Sequence, residues 1–95
     1  MHAVLNHLRF RDDVDPQLFA GMAEVVPQMR AIDGFGGIHI IQTSRKEVTL
    51  VILAIDAETL DRLAVEVGSP WMVAHVVPLL AGPPDRQVGL VLASS

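Results

Sequence analysis

The chain has 95 residues, 51% of them apolar and 19% charged, and a formal net charge of −4. That length suits one domain over residues 1–95, and the seven Lys and Arg are scattered from Arg9 to Arg86, so no basic patch points to nucleic acid. With no cysteine there is no disulfide framework, thiolate nucleophile or thiolate metal site, and the longest apolar run, Leu50 to Ile55, falls far short of the ~20 residues of a membrane helix.

The opening MHAVLNHLRF lacks a basic stretch followed by an apolar one, so a soluble, cytoplasmic protein is expected. Ala3 to Phe10 is rich in strand-compatible residues and is broken by RDDVDP. Asp15 before Pro16 is a helix start: the carboxylate can accept from a free backbone N–H, and Pro at the first position gives up no bond. Leu18, Phe19, Met22, Val25, Val26, Met29 and Ile32 then recur at helical spacing, with Pro27 expected to bend the helix or divide it. Gly34 is a left-handed stop.

GGIHIIQT and VTLVILAI read as two strands joined by a hairpin turn at SRKE, and they should pair antiparallel. Asp56 caps DAETLDRLAVEVG, whose Leu60, Leu63, Ala64 and Val67 form one apolar stripe and whose Gly68 is expected to end it. Ser69-Pro70 repeats the cap-plus-proline start and opens a short third helix, SPWMVAH. Pro83 and Pro84 stop the chain before a last strand, QVGLVLA.

The order β-α-β-β-α-(α)-β is the split βαβ pattern: an α+β, ferredoxin-like fold with a four-stranded antiparallel sheet and helices on one face. The sheet should be apolar on both faces. In the third strand Val48, Leu50, Ile52 and Ala54 oppose Val51 and Leu53, and in the fourth Val88, Leu90 and Leu92 oppose Gly89, Val91 and Ala93. Helices can cover one face only, and so small a chain has little interior in which to hide the excess. The simplest cover is the same sheet of a second copy, which makes an isologous homodimer.

With IDGFGGIHIIQT after the first helix and SPWMVAH in the last, the chain resembles the dimeric α+β barrel superfamily over almost its whole length. Within that superfamily it is most similar to the antibiotic-biosynthesis-monooxygenase-like domains. The resemblance implies a pocket between sheet and helices for an aromatic or polycyclic ligand, and a monooxygenase-like activity that is either cofactor-independent or haem-dependent. Haem-degrading members use an Asn on the first strand and a His on the last helix, positions matched by Asn6 and His75. Their Trp position is not matched by Trp71. Cofactor-independent, quinone-forming members hold a phenolic substrate through Asn, Trp and Tyr, and this chain has no tyrosine. The resemblance therefore implies Asn6 and His75 as catalytic candidates, with Trp71, Leu8 and Phe35 lining the ligand.

Each candidate also has a purely structural reading. Asn6, on the strand face of Val4 and Leu8, either orients a substrate or bonds a neighbouring loop or a buried water. His75 lies four residues after Trp71, so the two share a helix face. It could serve as a base or iron ligand, or only pack on the indole and bond a carbonyl. His7 and His39 fall on the sheet face opposite Asn6 and Ile38. No His, Asp or Glu spacing resembles a metal site, IDGFGGIHI is no phosphate loop, and the Asp12, Asp13 and Asp15 group reads as a solvated turn and cap. The alternative to an enzyme is a non-catalytic dimeric ligand-binding or structural module of the same fold.

Overall fold

The computed structural model describes residues 1–95. Strand β1 (His2–Arg9) turns Val4 and Leu8 inward. Asp15 then caps a 3-10 turn over Pro16–Gly21, its carboxylate accepting from the Gln17 N–H at 2.9 Å. Helix α1 (Met22–Arg30) follows and buries Met22, Val25 and Met29, residues spaced three and four apart. The expected helix is thus divided, but at Gly21 and not at Pro27. Pro27 stays inside α1, where both it and Ala23, whose carbonyl it leaves without the usual donor, belong to the exposed side.

The chain reverses at Gly34, whose φ is +94° and where a Cβ would come within 2.5 Å of Ile55 Cγ2. Only glycine takes that conformation and that space without strain. Strand β2 (Phe35–Ser44) and strand β3 (Glu47–Ala54) form the expected hairpin, with Arg45 and Lys46 as its two-residue turn. Asp56 caps helix α2 (Ala57–Leu63) by accepting from the Thr59 N–H at 2.8 Å. Hydrogen bonds from the Thr59 side chain and backbone hold the Asp56 carboxyl below the usual carboxylate range.

Two expectations are corrected after α2. Gly68 does not end the helix and Ser69 does not cap a new one. Gly68 is right-handed (φ −67°, ψ −52°), and the Ser69 N–H donates to the Ala64 carbonyl five residues back. A π turn over Ala64–Gly68 therefore carries α2 into helix α3 (Ser69–His75) with no break. The last strand, β4 (Asp85–Leu90), starts and stops earlier than QVGLVLA suggests. Its partner sets the limit: Leu90 pairs with His2, where β1 begins.

The sheet order is β2-β3-β1-β4 with every neighbouring pair antiparallel, an α+β, ferredoxin-like arrangement. One face packs under the helices in two apolar groups. The first gathers Val4, Met29, Ile52, Leu60 and Leu63; the second gathers Leu8, Phe10, Val48, Leu50, Val76 and Leu80. The segment after α3 is tied to the end of β1, the Arg11 N–H donating to Leu79 O at 3.1 Å and the Ala81 N–H to Arg9 O at 2.7 Å. No helix covers the other face, where Leu5 and Ile41 remain 41% and 48% exposed. His7 lies on this open face, with Nδ1 3.1 Å from Thr49 Oγ1 and Nε2 3.2 Å from Glu47 Oε2. No helix is long and apolar enough to cross a membrane.

Candidate functional site

The two apolar groups do not close completely on one another. Between them lies a cavity of about 90 Å³, floored by the sheet and walled by α1 and by the α2–α3 helix. Local sequence explains the gap. The π turn widens the helix where it crosses the sheet, and Gly68 at its end puts no side chain into the space. The lining is mostly apolar, with Leu50 and Met22 typical of it, and Trp71 forms one wall. Trp71 packs against both apolar groups, its ring 6.2 Å from Phe19 and tilted 40° to it.

Asn6 is the polar residue of the floor. In the register of the sheet it stands between Leu50 of β3 and Arg86 of β4. Its Oδ1 is buried and no protein group hydrogen-bonds to it. A buried acceptor left unpaired costs roughly 1–3 kcal/mol, which a hydrogen bond from a molecule in the cavity would offset. Of the two structural roles open to Asn6, the loop contact is not made: no loop group bonds this oxygen. Arg86 also lines the cavity, and its guanidinium reaches across to α2, with Nη2 3.6 Å from Asp61 Oδ1. Ser69 is the remaining polar side chain of the wall.

The other residues singled out from the sequence lie elsewhere. His75 is exposed near the end of α3, its ring 5.4 Å from Trp71, and it does not line the cavity. Leu8 is fully buried in the second apolar group, and Phe35 packs at the margin of the first. The fold thus brings Asn6 and Trp71 together and leaves His75, Leu8 and Phe35 outside the lining. Arg86, Gly68 and Ser69 line the cavity without being candidates from the sequence. Only the pairing of β4 with β1 places Arg86 beside Asn6, a relation between residues eighty positions apart in the chain.

No His, Asp, Glu, Cys or Tyr lines the cavity, and no three His, Asp or Glu side chains gather to hold a metal. The space does not fit a haem, since about 90 Å³ is of the order of one ring, and the histidine that would be its iron ligand lies outside the lining. What the site can do is hold a small flat molecule against Trp71 and engage its polar edge through an amide, a hydroxyl and a guanidinium.

Solved structures share this architecture from end to end. The cofactor-independent oxygenase SnoaB from Streptomyces nogalater superposes with a TM-score of 0.74 at 10% identity, covering 98% of this chain and 94% of that one. This chain has the fold of the antibiotic biosynthesis monooxygenases. A protein of that description matches with a TM-score of 0.70 at 12% identity over 98% of this chain and all of its own. The NE2512 protein of unknown function from Nitrosomonas europaea matches with a TM-score of 0.74 at 16% identity, over 99% of this chain and 91% of that one. No protein-family model and no curated protein matches the sequence. At these identities the likeness is one of fold, and the same fold carries many chemistries.

Proposed function

We propose that residues 1–95 act as one monooxygenase-like unit that binds a single-ring aromatic ligand, a phenol or quinol, in the cavity between sheet and helices. The observation that carries this is the buried, unpartnered Oδ1 of Asn6 on the cavity floor. A ligand hydroxyl donating to that oxygen supplies the partner it lacks, while the ring replaces water against Trp71, Met22 and Leu50. The volume favours one ring over a polycyclic system.

The neutral phenol is the form that donates to Asn6 Oδ1; once its proton passes to water, the phenolate oxygen is drawn to the positive charge of Arg86 beside Asn6, and the phenolate is the electron-rich form that can react with dioxygen. Oxidation of a phenol to a quinone balances without an added reductant: one atom of O₂ becomes the new ring carbonyl oxygen, and the other leaves as water with two hydrogens from the substrate. That SnoaB is a cofactor-independent oxygenase supports a reaction of this kind on this fold. In this reading His75 acts only through its contact with Trp71.

The test is oxygen uptake and product formation with a panel of phenols and quinols. Turnover that is lost in Asn6→Leu supports the reading; binding without turnover by any of them favours a non-catalytic ligand-binding module. The absence of any general base in the lining gives that second reading its weight.

The open sheet face, with Leu5, Val51 and Ile41, is proposed to be covered by the same face of a second copy. Sedimentation at micromolar concentration should show a homodimer, and Val51→Lys, which places a charge in the centre of that face, should show a monomer. A wild-type monomer contradicts the proposal.

A further inference from the structure

The ion pair between Arg86 and Asp61 has features of an occupied docking point. Arg86 lines the cavity, whereas Asp61 stands outside the lining. At 3.6 Å the pair is long, and the two side chains keep 40% and 75% of their exposure, so the contact is weak and Asp61 returns to water at little cost. Arg86 is the only positive charge on the cavity wall, and the wall holds no negative one. Its partner on β1 in the register is Asn6, with its unpartnered oxygen. Facing residues of antiparallel strands have Cβ atoms about 5 Å apart. The cavity edge therefore carries an amide and a guanidinium at neighbouring points, over an otherwise apolar bed, and a turn of the Asn6 side chain brings its buried oxygen to a ligand.

We infer that the ligand carries an ionised acidic group next to its hydroxyl, as in an ortho-hydroxy aromatic acid, and that this anion displaces Asp61 from Arg86. The hydroxyl donates to Asn6 Oδ1, the carboxylate accepts from the guanidinium, and the ring lies against Trp71. Asp61 is then an internal competitor that occupies Arg86 when the site is empty and leaves when the acid arrives. The proposal rests on the reading of the cavity as a ligand site and adds to it a requirement for charge.

The experiment measures dissociation constants by calorimetry for salicylate, 4-hydroxybenzoate, benzoate and phenol with the full chain. Salicylate should bind best, and the acids should exceed phenol by roughly tenfold, the effect of one charge-assisted contact. Arg86→Gln should erase that preference, with an unchanged circular dichroism spectrum showing that the variant is folded. Asp61→Asn should tighten the acids by roughly two- to fivefold and leave phenol unchanged, as expected for removal of a weak exposed partner. Asn6→Ala should abolish the advantage of salicylate over benzoate. Phenol binding as tightly as the acids, or an acid preference that survives Arg86→Gln, overturns the proposal and leaves the cavity reading standing. Failure of all four probes overturns both.

Discussion

Replacing Asn6 with Leu separates a ligand site from a piece of scaffold. Leucine has the same branched outline as asparagine but no polar atoms. If the amide had protein partners, its loss would strand them and destabilise the fold. Oδ1 is buried with no such partner, and its neighbours across the sheet floor include Leu50 and the cavity's apolar wall. Asn6→Leu should therefore recover the roughly 1–3 kcal/mol lost to the unpaired acceptor. For a domain of this length 1 kcal/mol corresponds to roughly 4–8 °C, so a gain near 2 kcal/mol raises the midpoint by roughly 8–16 °C. The assay is thermal unfolding followed by circular dichroism without ligand, at one fixed protein concentration so that self-association contributes equally. The same variant should lose affinity for phenols. Such a trade of stability against function is expected of a preorganised binding group. A midpoint lower than wild type refutes the reasoning and makes Asn6 structural.

Three further outcomes follow from the same structure. Gly68→Ala should stabilise the α2–α3 helix by about 1 kcal/mol, because the backbone is right-handed and the added Cβ meets nothing closer than Leu63 O at 3.6 Å. The methyl group should also weaken ligand binding, since Gly68 lines the cavity. Gly34→Ala should destabilise by roughly 2 kcal/mol or more, with strain at φ +94° added to a 2.5 Å approach to Ile55; Gly37→Ala, with φ +143° but open space around it, should cost less. Equilibrium denaturation of the two variants gives the comparison. For Asp56 the folded carboxyl titrates below its ordinary value, so its contribution is complete above about pH 4 and is lost as the pH falls through the folded value. Asp56→Ala should accordingly melt lower than wild type at pH 7, with the difference shrinking in acid; a constant difference across that range would show that the charge on the cap is immaterial.

The order of elements was legible because its signals are local. Asp15 and Asp56 each cap with their own neighbours, Gln17 and Thr59, and Gly34 needs its positive φ whatever the rest of the chain does. The break expected at Gly68 failed because a helix can pass a glycine when another bond, here Ser69 to Ala64, keeps the turn closed. The end of β4 is set by where β1 begins, which no property of QVGLVLA contains. The site divides in the same way. Asn6 stood out as an amide in an apolar strand, and Trp71 as the chain's lone tryptophan. Arg86 did not, because strand register alone makes it Asn6's neighbour. His75 shares the Trp71 side of α3, as its spacing implies, yet a ring tilted against an indole can face water, and His75 does.

The account turns on whether the cavity beside Trp71 is a ligand site anchored by Asn6. Because Trp71 is the chain's one tryptophan and forms a cavity wall, its fluorescence reports on that space alone. Titration with a phenol or salicylate should change the emission saturably in wild type, and the change should be lost in Asn6→Leu while the protein stays folded. A wild-type emission that no such ligand alters, or an identical titration in Asn6→Leu, contradicts it.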